Sequence, residues 1–218
     1  MLDARLYKGA LVFFSSFRLQ SSVKMTERQF FAAQFSSSSF SFWKNCIFVG
    51  DLYFLDWIPL VAGDLIPLPL RSHQRSVLVT GCVSYDYPRD IHRVCGPLNI
   101  NQYLTVLQSV AATGRTIVHS RNPVHSSPRV KAWISANNMS SILWPAECLD
   151  IMPMTSIWRQ FIFEFNMSTP VFGNPDQLWA EIETCWETFM QNEFHVMSST
   201  VGYLWADLLN IREQYNAF

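Results

Sequence analysis

The sequence reads as a single α/β domain, a mixed central sheet flanked by helices. Two runs rich in β-branched and aromatic residues, Asn45 to Phe54 and Val77 to Tyr85, have the composition of strands. Elsewhere apolar residues recur at helical spacing, as in Tyr103, Leu107 and Val110, and in the stripe Leu178, Trp179, Ile182, Trp186 and Phe189. A chain of 218 residues with 49% apolar content is also long enough to bury one sizeable core.

Taken in order, Met25 to Phe35 is expected as a short helix, with Glu27 and Arg28 ahead of the apolar cluster Phe30, Phe31 and Ala32. The serines at 36 to 39 end it. The strand 45–54 follows, and Pro59, Gly63, Pro67 and Pro69 punctuate a loop before the strand 77–85. Asn99 to Val110 is a helix by its apolar period. Thr116 to His119 is a short buried strand. Ser127 before Pro128 is a good helix start, because the serine caps the first free amides and proline suits the first helical position. That helix carries Val130, Trp133 and Ile134 on one face, as core rather than as a base-stacking platform. Thr155 to Phe165 is expected as a helix with Trp158 and Phe161 inward. Asn174, Pro175 and Asp176 open the striped helix, and Phe194 to Tyr215 is a last helix in which Arg212 is the lone Lys or Arg.

Charge and cysteine content exclude several classes. The net charge is −1, with 16 basic against 17 acidic residues, which argues against strong DNA binding because Lys and Arg contacts to phosphate supply most nonspecific affinity. Cys46, Cys82, Cys95, Cys148 and Cys185 are scattered without C-x-x-C spacing, so neither a zinc site nor a disulfide framework is suggested. Gly9 to Phe14 is too short an apolar run for a secretory signal. Cys46 to Leu70 is broken by Asp51, Asp56, Asp64 and prolines and is not a membrane span. No dense Lys/Arg cluster reads as a nuclear import signal.

Five ordered segments carry a resemblance. Trp43 to Phe54 is similar to a strand W-x-x-V-x-F-S-D-E-x-x-F, and Ser76 to Ser84 to S-x-M-V-W-G-x-x-S. Leu98 to Leu104 resembles the segment leading into the next helix. His119-Ser120-Arg121-Asn122-Pro123-Val124-His125 is similar to Q-D-N-A-P-x-H. Leu143-Trp144-Pro145 and Cys148 to Trp158 resemble L-x-W-P followed by S-P-D-x-N-P-I-E-x-x-W. These are motifs of the mariner superfamily of DDE transposases, whose catalytic domain is ribonuclease-H-like. Leu178 to Trp186 resembles that family's E-L-W-x-x-I-x-x-x-W segment.

The resemblance implies a two-metal phosphodiester chemistry whose three carboxylates fall here on Gly50, Ser120 and Thr155, with residues 121 to 154 giving the 34-residue interval of the superfamily. Asp51 takes the place of the Glu after the first catalytic Asp. Mg²⁺ demands hard oxygen ligands, chiefly carboxylates, and these positions offer a missing side chain and two neutral hydroxyls. The expectation is therefore a lost Mg²⁺ site, no cofactor and no cleavage of DNA. A shifted site, with Asp51 as first ligand and Asp150 or Glu147 swinging in, is the enzyme alternative, and it requires a slip between opposite faces of a strand. His125 falls where the family has a structural His, which sets aside a metal role for the His119 and His125 pair.

Two further departures shape the domain reading. About 24 residues precede the first recognisable helix, too few for the helix-turn-helix modules of the family, so residues 1–24 read as a remnant and 25–218 as the degenerate DDE domain. The interval from Gly50 to Ser120 is short, and the shortfall lies between residues 55 and 75. The expected function is that of an inactive, transposase-derived interaction module or scaffold, nuclear or alternatively cytoplasmic, engaging a protein partner or itself. Its apolar surface is expected around Trp57 to Leu70 and along the last helix. A residual nucleic-acid binder using Arg115, Arg121, His125, Arg129 and Lys131 is the second reading. A decaying remnant without a selected role is a further one.

Overall fold

A computed structural model describes residues 10–14, 25–56, 59–60, 64–65, 76–86, 89–168, 172–192 and 194–216. The strands are β1 (Ala10–Phe14), β2 (Cys46–Asp56), β3 (Pro59–Leu60), β4 (Asp64–Leu65), β5 (Ser76–Ser84), β6 (Arg89–Val94), β7 (Thr116–Ser120) and β8 (Ser141–Trp144). The helices are α1 (Met25–Phe35), α2 (Phe40–Lys44), α3 (Ile100–Val110), α4 (Pro128–Ala136), α5 (Pro153–Ser168), α6 (Pro175–Asn192) and α7 (Phe194–Asn216).

The main sheet runs β6-β5-β2-β7-β8, with β6, β5 and β2 antiparallel and β2, β7 and β8 parallel. Strand β2 is the axis of the fold. One of its edges is taken along its length by β5. The other edge is shared: Cys46 to Val49 pair with β7, and Leu52 to Asp56 pair antiparallel with β1. Residues 10–14, assigned by sequence to a remnant ahead of the domain, pair with β2 as a strand of the sheet. Ala-Leu-Val-Phe-Phe is too short for a signal but of the right length and composition for an edge strand. A two-residue hairpin, β3 with β4, sits inside the shortened interval 55–75.

Helices cover both faces, and alternation along β2 sorts the core between them. Phe48, Leu52 and Phe54, with Val77, Val79, Val83 and Val118, join the cluster formed with α1, α5, α6 and α7. Ile47 and Val49, with Cys82 and Ile117, face Tyr103, Leu107 and Val110 of α3 and Val130 and Ile134 of α4. Caps set the helix starts as predicted. Ser127 Oγ accepts from the Val130 amide, and Asn174 Oδ1 accepts from the Gln177 amide at 2.9 Å. Asn99 forms a reciprocal capping box with Gln102.

Besides β1 and the β3–β4 hairpin, three elements were absent from the sequence reading. The serines at 36 to 39 do end α1, but Ser39 then caps α2 by accepting from the Phe42 amide. β6 is an edge strand of mixed polarity, Arg-Asp-Ile-His-Arg-Val, and β8 has four residues, too few to show a period. Trp57 to Leu70, where an exposed apolar patch was expected, lies largely outside the described residues. Along α7, Val201, Leu204, Leu208 and Ile211 are buried against α1, α2 and α5, while Tyr203 is exposed. Among the described residues, no helix is long and apolar enough to cross a membrane.

Phe161 stands at the centre of the α5–α6 core, with ring neighbours Phe54, Trp158, Phe165, Trp186 and Phe189. Phe161→Ala is expected to cost about 3–5 kcal/mol in urea unfolding. A loss under about 1 kcal/mol would show that α5 and α6 do not share this core.

Candidate functional site

Two of the three positions expected to hold carboxylates stand side by side, and the third begins the helix that covers them. The register Val49↔His119 puts Gly50 and Ser120 level on neighbouring parallel strands. Thr155 lies in the first turn of α5 and is 7% exposed. Its neighbour Met154 lies over Gly50, and the Trp158 indole N–H donates to the Gly50 carbonyl at 3.3 Å. Gly50 pairs across the strands with Gly81, also under Met154 and Trp158.

Asp51 points the other way. Residues 50 and 51 fall on opposite faces of β2, and Asp51 enters the α3 side, where its Oδ1 accepts from the Thr80 hydroxyl at 2.8 Å. Its Oδ2 is 3.2 Å from His125 Nε2, outside the alignment of a hydrogen bond, so the contact is electrostatic. His125 Nδ1 is 3.2 Å from Ser120 Oγ, and its ring stacks on Tyr103 with centroids 4.1 Å apart. His125 is fully buried. His119, stacked 5.6 Å from it, meets the Tyr103 hydroxyl at 2.7 Å through Nδ1. Burial, then the neighbouring His125 ring, pushes the His119 pKa down to about 3, so it stays neutral.

The shifted ligand set is not assembled. Arg28 clamps the 146–151 turn, its Nη1 and Nη2 donating to Asp150 at 2.6 and 2.9 Å, its Nη1 also to the Glu147 carbonyl at 2.5 Å, and its backbone N–H to Glu147 Oε2. Asp51 and Asp150 are thus each engaged, and on different sides of the sheet from one another's partners.

The basic residues proposed for nucleic acid do not form one patch. Arg115 lies before β7, at the opposite end of that strand from Ser120, donating to Ser84 Oγ at 3.0 Å and 3.9 Å from Asp86. Arg121 pairs with Glu27 at 3.1 Å. His125 is inside the core, which corrects its assignment as a nucleic-acid contact: its ring is held by Tyr103, Ser120 and Asp51. Only Arg129 and Lys131 stand exposed together, on α4. The cysteines are all unpaired, as expected.

Comparison with known proteins places this geometry. No family model matches the chain. Tc1 transposase of Caenorhabditis elegans is 21% identical over 128 residues, covering 55% of this chain and 46% of that protein. Tcb2 transposase of Caenorhabditis briggsae is 22% identical over 120 residues, 51% and 43% respectively. The matches thus span less than half the length of these relatives. The catalytic domain of Mos1 mariner transposase superposes with a TM-score of 0.66 at 10% identity over 90% of this chain and 96% of that one. The same domain with raltegravir and Mn gives 0.67 at 10% identity, over 91% and 97%. The chain is thus similar in sequence to Tc1-type transposases and shares the fold of the Mos1 mariner catalytic domain. Its sheet and helices are those of the ribonuclease-H-like fold, as the DDE resemblance implied.

Within this domain, Thr80, Gly81 and Met154 are the site residues that the sequence reading did not single out. Gly81 had a signal, since it falls on the glycine of the family's second strand motif. Thr80 and Met154 had none, because only strand pairing and the seating of α5 bring them to the site.

A pH dependence follows from His119. In the unfolded chain it protonates near pH 6.5, in the folded one only near pH 3. Between these values the unfolded state binds more protons, so stability falls as pH drops from about 6.5 toward 3, by at most about 1.4 kcal/mol per pH unit. His119→Asn should flatten this slope in denaturant titrations across that range. An unchanged slope in the variant would assign the effect to other groups.

Proposed function

We propose that this chain is a DDE-domain protein that does not cleave or join DNA and acts as an interaction module in the nucleus. The observation that carries the reading is the donor set at the three positions expected to hold carboxylates. Gly50 contributes no side-chain oxygen, the Ser120 hydroxyl is shared with His125 Nδ1, and Thr155 is a buried hydroxyl. Such a set fits a divalent cation poorly, since Mg²⁺ is bound through carboxylates. The acids nearest in sequence, Asp51, Glu147 and Asp150, are held by Thr80, His125 and Arg28.

Support for a protein partner comes from the edge of the sheet. An open groove of about 490 Å³ runs between α1 and the edge strand β8, lined by Phe30, Phe31, Phe35, Ile142 and Leu143 among others. Phe30 is 73% exposed there. An exposed aromatic ring beside a strand edge that is unpaired among the described residues is a feature of partner-binding surfaces.

Residual DNA binding is the second reading. It is favoured by Arg129 and Lys131, exposed on α4, and by the solved relatives, which include a Mos1 strand transfer complex (TM-score 0.67, 10% identity, 89% of this chain). With few uncommitted cations among the described residues, it predicts weak, strongly salt-dependent binding.

Labelled duplex DNA incubated with Mg²⁺ or Mn²⁺, with an electrophoretic binding lane at low salt, tests both. No metal-dependent cleavage or joining is expected, and any retained complex should disappear as salt rises from 50 to 200 mM. Cleavage abolished by Asp51→Ala would overturn the inactive reading and make Asp51 a ligand.

A further inference from the structure

We infer that the space of the ancestral first carboxylate has been taken into the hydrophobic core, so that replacing the three lost acids does not by itself rebuild a metal site. The inference rests on the inactive reading above and adds why the inactivity is locked. Gly50 and Gly81 are directly paired across β2 and β5 and form a notch without side chains on the α5 face of the sheet. Met154 and Trp158, four residues apart on α5, fill it from above. A Cβ at Gly50 would lie 2.7 Å from Met154 Cγ and 3.3 Å from Met154 Cβ, with the Trp158 Nε1 at 3.6 Å. A Cβ at Gly81 would overlap Met154 Cε and lie 2.8 Å from Trp158 Cζ2.

These contacts decide what an aspartate at position 50 would meet. The methionine end can swing, but Met154 Cβ and Cγ sit close to the helix backbone, and the Trp158 ring is rigid and fully buried. The carboxylate would therefore be pressed between a thioether and an indole. Neither is a hard ligand for Mg²⁺ or Mn²⁺, and desolvation there opposes the ionised form that a metal needs. Trp158 also uses its N–H on the Gly50 carbonyl, which ties α5 to the strand at the same place.

On the opposite face the surviving acid is engaged by protein groups. Asp51 meets His125, and His125 meets Ser120 at the second ligand position. The loop after β7 is thereby joined to β2 by an imidazole. A carboxylate put back at position 120 would face His125 first.

The test compares wild type, Gly50→Ala, Met154→Ala and their double variant by thermal unfolding. It adds Gly50→Asp/Ser120→Asp/Thr155→Asp, with and without Met154→Ala, by calorimetric titration with Mn²⁺. Gly50→Ala is expected to lower Tm by about 3–10 °C through overpacking. Met154→Ala should relieve part of that loss, making the double variant less damaged than the sum of the two. The triple aspartate variant should show no saturable Mn²⁺ heat and no rise in Tm with Mn²⁺, whereas adding Met154→Ala should restore both.

Additive effects in the Gly50 and Met154 cycle, or saturable Mn²⁺ binding by the triple variant with Met154 in place, would overturn the inference. If the triple variant does not fold, the cycle alone decides. Mn²⁺-dependent cleavage by the wild type would instead overturn the inactive reading, and it leaves the outcome of the cycle unchanged, so the two failures are distinguishable.

Discussion

Helix α5 lies close against the sheet only because two glycines face it from adjacent strands, and much of the domain follows from that approach. With no Cβ at Gly50 or Gly81, Met154 and Trp158 reach the backbone of β2 and β5. That depth brings Phe161 and Phe165 onto Phe54, and carries α6 in behind them through Trp186 and Phe189. Helix α7 then packs across α5, α1 and α2. Interiors at crystal-like density do not absorb an added side chain by local yielding, so the glycine pair sets a distance on which successive layers depend.

The strict alternation of a strand governs the other half of the site. Gly50 and Asp51 are neighbours in sequence and strangers in space, because one faces α5 and the other α3. An acid that moves by one residue therefore does not remain a ligand with a slightly altered angle. It enters a different environment, where Thr80, His125 and the stacked Tyr103 meet it. The buried polar groups on that side are served within the chain, except that His119 Nε2 and His125 Nε2 lack an aligned hydrogen-bond partner. This leaves the His125–Asp51 contact to electrostatics rather than to directional bonding.

How much of this was legible in the sequence depends on the kind of signal each element carries. Helices α3, α4 and α6 had periodic apolar faces and capping residues such as Ser127 and Asn174, and β2, β5 and β7 had strand composition. The grouping of Gly50, Ser120 and Thr155 was implied by the family resemblance, because register along ordered motifs survives the loss of the side chains themselves. Strands β1, β6 and β8 were not readable. Each is short or of mixed polarity, and each exists because a neighbouring edge was available, which is a tertiary fact. His125 was read on sequence both as a structural histidine and as a nucleic-acid contact, and it is in space that Tyr103 and Asp51 enclose it. Met154 has no chemical signature at all. Its role is defined by the glycines beneath it.

Charge supplies the last step in relating this fold to what it can still bind. Several arginines are matched internally: Arg28 with Asp150, Arg93 with Asp176, Arg115 with Asp86 and Arg121 with Glu27. Exposed pairs of this kind contribute little to stability, about 0–1 kcal/mol each, so their consequence is not to hold the fold together. They cancel positive potential at the surface, and a polyanion approaching Arg121 must first displace Glu27. A near-zero net charge in the sequence and a set of internally neutralised arginines in the structure are thus the same fact at two levels. Together they favour reuse of the domain through its apolar edge between α1 and β8, where Phe30 is exposed, over reuse through phosphate contacts.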